Sequence, residues 1–182
     1  VIKFGGSLLG RTSWPEELRT LVADFTGPTT IVVGGGAVVE GLRAIDAASP
    51  RPAAVMHQLA IEAMGVTARL VAEAARLPLA AAPALAGRAV VLDAAAWLSH
   101  ADRYGELPVG WQVTSDSIAA LVATTIAAAL VLAKSVPPPA STDDLPSLAH
   151  AGWVDDHFPV AAAELARIEW AVPLGIIPTS SR

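Results

Sequence analysis

The chain opens on the same short pattern twice. Val1-Ile2-Lys3-Phe4 runs into Gly5-Gly6-Ser7, and Ile31-Val32-Val33 runs into Gly34-Gly35-Gly36. Helical spacing follows each turn, from about Trp14 to Phe25, with Ser13 suited to the N-cap, and from Ala37 to Ala47. A β-prone run, a glycine turn and a helix in tandem predict an α/β fold, with parallel strands covered by helices. The glycines fall at the carboxyl ends of the strands, where open parallel sheets collect ligands.

The rest of the chain extends this frame. Pro50-Arg51-Pro52 is a break, and Ala53 to Arg76 is a long helix whose apolar Leu59, Met64, Val66, Leu70 and Val71 pack along the sheet or a partner subunit. Pro78 and Pro83 bracket a loop or short strand, Ala89 to Leu92 reads as a strand, and Asp93 to Ser99 as a short helix or turn. After a polar loop from His100 to Gly110, a helix starts at Ser115 with Asp116 in its first turn, and Ala129 to Ala133 is a buried strand. Three prolines make Val136 to Asp144 a surface loop. A helix from Ala161 to Ile168 and a strand from Trp170 to Ile177 close the expected domain, which spans residues 1–182.

Composition narrows the function classes. Twelve Lys and Arg face 17 Asp and Glu, a net charge of -5, which is not the footprint of a general nucleic-acid binder. No cysteine is present, so disulfides, thiolate metal sites and cysteine nucleophiles are excluded and the cytoplasm is the expected compartment. The most apolar run, Ile118 to Ala133, is shorter than a membrane span, and no export signal is visible at Val1. A mean hydropathy of +0.52 and the Ala-rich helix suggest a homodimer or higher homo-oligomer.

Three features carry chemistry. Gly5-Gly6 and Gly34-Gly35-Gly36 let a phosphate approach bare backbone amides, and Lys3 adds a mobile ammonium to the first turn. Single Gly-Gly pairs are ordinary turns in most proteins; two of them beside a lysine favour anion binding. The chain lacks the Walker pattern, and Val39 breaks the dinucleotide fingerprint. In Gln112-Val113-Thr114-Ser115-Asp116-Ser117, hydroxyls and a carboxylate meet before an apolar helix; this is either a helix cap or the place of an Asp116 that orients Lys3. Lys134, at the exit of Leu130-Val131-Leu132, either reaches solvent or serves the same centre. His57, His100, His150 and His157 have no metal-ligand spacing, so no metal site is expected, and they read as surface or helix residues. Ser7 and Ser117 lack a nucleophile-elbow context, and Trp111 and Trp153 read as core or edge aromatics.

In their order along the chain, Val1 to Ser7, Ile31 to Gly36 and Val113 to Ala120 resemble the amino acid kinase superfamily. His57 to Met64, Trp111 to Asp116 and Gly152 to Pro159 are most similar to its small branch of 5-(aminomethyl)furan-3-yl methyl phosphate kinases, of methanofuran biosynthesis. The resemblance implies a three-layer α/β/α sandwich with a mainly parallel central sheet. It also implies transfer of the γ-phosphoryl group of Mg2+-bound ATP to a phosphate or carboxylate of a small-molecule acceptor. Lys3 would contact the transferring group, with Asp116 organising it; Gly5, Gly6, Ser7, Thr114 and Ser115 would hold nucleotide phosphates. Gly34, Gly35 and Gly36 would hold the acceptor.

Two departures from the family stand out. Many relatives continue the last core strand with Thr-Asp-Val-Asp-Gly, whereas this chain has Ala133-Lys134-Ser135-Val136 and then three prolines. Many also carry a second catalytic lysine in Gly-Met-x-x-Lys, where this chain reads His157-Phe158-Pro159-Val160-Ala161. Lys134 is the candidate replacement, and the nucleotide-binding region around 134–160 is expected to be shortened or altered. The same departures motivate the alternative of a non-catalytic binding or assembly protein on the kinase fold.

Overall fold

The computed structural model describes residues 1–100, 106–138 and 142–173. Its strands are β1 (Ile2–Phe4), β2 (Thr30–Val33), β3 (Leu79–Ala80), β4 (Val90–Leu92), β5 (Leu130–Ala133) and β6 (Ile168–Ala171). They form one sheet in the order β3-β4-β2-β1-β5-β6, with every pairing parallel. The helices are α1 (Trp14–Ala23), α2 (Gly36–Ala48), α3 (Ala53–Ala75), α4 (Ala94–Ser99), α5 (Ser115–Thr125), α6 (Leu145–His150) and α7 (Phe158–Ala161). The α/β reading of the sequence is therefore the architecture observed.

Alternation along the strands divides the core in two. Ile2 and Phe4 of β1, Ile31 and Val33 of β2, and Val131 and Ala133 of β5 join one buried cluster with Leu18 of α1. Val32, Leu130 and Leu132 point the other way, into a cluster with Ile118 and Val122 of α5. The central strands β1, β2 and β5 are buried throughout their length because both faces are covered, as a parallel sheet requires. Helix α3 serves both clusters, with Ile61 and Met64 in one and Ala68, Val71 and Ala75 in the other. Its Leu59, Val66 and Leu70, expected to pack along the sheet or a partner subunit, do not pack on the sheet and are exposed in the single chain.

β1 is the topological switch point. The chain lays β2, β4 and β3 on one side of it and β5 and β6 on the other, opening a crevice at its carboxyl end. Both glycine turns meet there. The first is a 3-10 turn over Gly6–Gly10, and the second leads into α2 through Gly36, whose φ of +53° favours glycine. A side chain on Gly36 would lie 2.6 Å from the Gly6 carbonyl oxygen, and one on Gly34 would lie 2.6 Å from the Gly6 nitrogen. The turns are pressed back to back.

Three expectations need correction. The helix read at Ala161 to Ile168 is instead α7, which starts at Phe158 because Pro159 suits a first turn, and β6 begins at Ile168. The expected last strand to Ile177 ends at Ala171; positions 174–177 lie outside the described residues, as does part of the proline loop. Helix α6 was not anticipated; Asp144 caps it by accepting from the Ser147 amide at 3.1 Å, with Pro146 in the first turn.

Two glycine substitutions separate close approach from simple helix propensity. Gly36→Ala should lose about 1–3 kcal/mol of stability by overpacking, beyond the cost of its φ. Gly41→Ala, inside α2 with open space around it, should gain about 0.5–1 kcal/mol. Urea denaturation of both variants checks the pair; equal, small effects would contradict the back-to-back arrangement.

Candidate functional site

Parity brings two lysines together. Lys3 lies between Ile2 and Phe4 and so points to the α5 face of the sheet. Leu132 pairs with Lys3 and faces the same side, and Lys134 comes two residues later, just beyond β5. Asp116, in the first turn of α5, projects between them. Lys3 Nζ lies 2.9 Å from Asp116 Oδ1, and Lys134 Nζ donates to both carboxylate oxygens at 2.8 Å. All three side chains are nearly buried. The solvent-reaching alternative for Lys134 is thus replaced by an inward one.

The electrostatics follow from this packing. Burial acts to raise the pKa of Asp116, but the Lys3 and Lys134 ammoniums outweigh it and hold the carboxyl below its ordinary value. Burial is also the strongest influence on Lys134; with the like charge of Lys3 it overcomes the attraction of Asp116 and lowers Lys134 from 10.5 to about 8. The cluster carries two cations on one anion, leaving an excess positive charge in a poorly solvated place.

The start of α5 is fixed by a residue the sequence reading did not single out for a role. Asp155 Oδ2 accepts from the Thr114 amide and hydroxyl at 2.8 Å each and from the Ser117 amide at 3.0 Å, while Oδ1 accepts from the Ser117 hydroxyl at 2.5 Å. These bonds satisfy donors that a helix N-terminus leaves open. They also commit the Thr114 amide and hydroxyl to Asp155, so the expected Thr114–phosphate contact has no spare donor. Ser115 is nearly buried and its Oγ faces Gly34. The only local sign of Asp155 was its place in an acidic pair, because its partners are 38 and 41 residues away.

The glycine amides divide into used and available. Gly5 donates to the Ala133 carbonyl and Gly34 to the Phe4 carbonyl, each at 2.9 Å, extending the sheet ladder past the strand ends. The sequence reading offered these two amides to a ligand; the ladder takes them. Gly6 and Ser7 open the 3-10 turn, and Gly35 and Gly36 open α2, so their amides have no partner within those helices. Ser7 Oγ donates to Ser135 Oγ at 3.1 Å, joining the first turn to the segment after β5.

These groups line one cavity of about 520 Å³. Lys3, Gly5, Gly6, Ser7, Gly34, Gly35, Gly36, Thr114, Ser115 and Lys134 all border it; Asp116 stands behind the lysines. One end continues to Ser135, Val136, Gly152 and Trp153, the last packed edge-on against Trp170. The other reaches Arg43, His57, Ala60, Ile61, Met64 and Trp111. His57 and Trp111, read as ordinary helix and edge residues, therefore border the site; buried His57 pairs through Nδ1 with the Gly110 carbonyl at 3.2 Å. Among the described residues no group of three or more His, Asp or Glu could hold a metal ion, and no helix is long and apolar enough to cross a membrane.

No curated protein matches the chain in sequence. Solved structures share its fold. Uridylate kinase from Archaeoglobus fulgidus aligns with a TM-score of 0.62 at 17% identity, over 94% of this chain and 91% of that one. UMP kinase from Ureaplasma parvum aligns with a TM-score of 0.62 at 13% identity, over 94% and 88%. The family comparison matches residues 1–138, which hold β1 to β5, both glycine turns and the Lys3–Asp116–Lys134 cluster. The chain belongs to the amino acid kinase family.

Proposed function

We propose that the protein is a small-molecule kinase that transfers the γ-phosphoryl group of ATP to a phosphate or carboxylate oxygen. The observation that carries this reading is the buried Lys3–Asp116–Lys134 cluster beside two turns with available amides. Phosphoryl transfer is catalysed mainly by positioning and charge neutralisation, and this site is built of little else.

In the transfer, the bond from the β,γ-bridging oxygen to the γ-phosphorus breaks as one from the acceptor oxygen forms, and ADP leaves with the bridging oxygen. Lys3 and Lys134 neutralise charge on the phosphoryl group in flight. Asp116 holds their ammoniums in place, and the Gly6, Ser7, Gly35 and Gly36 amides fix donor and acceptor oxygens. A phosphate or carboxylate acceptor is already deprotonated near neutral pH, so its oxygen attacks without a general base. A Mg2+ ion would arrive bound to the nucleotide phosphates. When bound there, it shields their charge.

The finer reading is an acceptor of the kind used in methanofuran-type cofactor synthesis. Its support is that His57, Met64, Trp111 and Trp153, from the segments similar to that branch, border the same cavity. The altered region around 134–160 still contributes Lys134, Ser135 and Val136 to the cavity wall, in keeping with a changed nucleotide end.

Incubation with radiolabelled ATP, Mg2+ and a panel of small phosphates and carboxylates should yield a labelled product. Lys3→Ala should slow its formation by about 100- to 1,000-fold, the usual effect of removing one charge-stabilising donor. Equal turnover by the variant would remove the proposed role. Failure of the wild-type protein to bind ATP in calorimetry would favour a non-catalytic binding protein.

Lys134 sets the pH response. Its folded pKa of about 8 lies below the ordinary 10.5, so between those values the unfolded chain holds more protons and stability rises with pH. Transfer should instead decline as pH passes about 8, because the second ammonium is lost. Carbon-13 NMR of the lysine ε-methylenes should show one group titrating near 8, moving lower still in Asp116→Asn. A Lys134 that titrates with exposed lysines would contradict this.

A further inference from the structure

We propose that Arg43 anchors an anionic group on the acceptor, remote from the oxygen that is phosphorylated, so that the substrate is a small molecule with an apolar body and a charged far end. The inference rests on the kinase reading above, not on the methanofuran-type acceptor, whose aminomethyl end would be a cation, and it extends that kinase reading to the substrate's shape. Arg43 is seven residues beyond Gly36 on α2, roughly 10 Å along the helix axis. The amides at one end of that distance face the phosphoryl centre; the guanidinium at the other end borders the same cavity.

The guanidinium is held ready for a ligand. It lies 4.4 Å from the centroid of the Trp111 ring, and the ring is fixed because its Nε1 donates to Asp46 Oδ2 at 2.8 Å. Arg43 Nε is shielded from solvent yet makes no hydrogen bond. Its one charged contact among the described residues is a loose ion pair, 3.6 Å from Nε to Glu40 Oε1, on a side chain that is 73% exposed, borders the same cavity and can swing into solvent to admit an anion. A covered N–H held only by a loose ion pair is poorly satisfied, and the planar guanidinium fork matches a carboxylate or phosphate. Stacking covers a face of the fork and leaves its in-plane N–H groups to an incoming anion.

The apolar part of the cavity lining defines the rest of the ligand. Ala60, Ile61, Met64 and Val113 belong to it, and they offer side-chain contact only to an apolar body. A ring or short carbon chain spans the gap; a strongly polar body would lose its hydration there without replacement.

The test uses the full chain with Mg2+ and a non-hydrolysable ATP analogue at saturation, so that the phosphoryl centre is filled. Phenylphosphonate, benzoate and neutral benzyl alcohol are the probes, read by nitrogen-15 NMR at Arg43 Nε and Trp111 Nε1. At least one anion should move both signals, and benzyl alcohol should move neither at the same concentration; the stronger anion identifies phosphate or carboxylate as the preferred group. Arg43→Met should weaken anion binding about tenfold or more, with Arg43→Lys between the two. Equal affinity in Arg43→Met, or no anion binding to the wild type, would overturn the proposal. If the ATP analogue itself does not bind, the kinase reading fails, and the same titration without it still decides whether Arg43 holds anions.

Discussion

One buried carboxylate shared by two ammoniums is the constraint around which the structure is arranged. Asp116 is reached by Lys3 from β1 and by Lys134 from the end of β5, and its own helix packs on the sheet face to which both lysines point. Removing three charges from water is expensive, and mutual attraction offsets that cost only when the geometry is good. A hydrophobic triad of similar volume would serve stability as well or better. In the proposed transfer the charges act as an electrostatic device: a cationic excess kept out of bulk water, where its field on a phosphoryl group is least screened.

The rest of the site supports that device. Asp155 ties Thr114 and Ser117 and so fixes where α5 begins. The paired strands set the two lysines in register, since Lys3 sits opposite Leu132 and Lys134 follows on the same face. The two glycine turns can approach only because neither carries a Cβ at the contact. Strand register, helix start and loop packing each act on the same few ångströms, so the site is preorganised by elements that have their own reasons to fold.

Much of this was legible in the sequence, for physical reasons. The repeated strand–glycine–helix grammar is local, and it revealed the parallel sheet and the edge at which the cavity opens. Lys3, Asp116 and Lys134 were recognisable because charges beside apolar runs are conspicuous. What remained hidden depends on distant partners. Asp155 looks like any surface acid until the fold brings it to α5, and His57 and Trp111 become cavity residues only once α3 and the segment before α5 are packed. The ends of helices were misread where proline starts an element instead of preceding it, as at Pro159 in α7 and Pro146 in α6. The fate of the Gly5 and Gly34 amides could not be read locally either, because it depends on how far the ladder continues past the strands.

The central claim is that the two lysines and the free turn amides together receive the phosphates of a nucleotide. A crystal structure of the protein with Mg2+ and a non-hydrolysable ATP analogue tests it most directly. The account predicts the terminal phosphoryl group within hydrogen-bond distance of Lys3 Nζ or Lys134 Nζ, with the Gly6 and Ser7 amides on the neighbouring phosphate oxygens. An analogue seated elsewhere, with both ammoniums turned wholly to Asp116 and no phosphate oxygen near them, would contradict it.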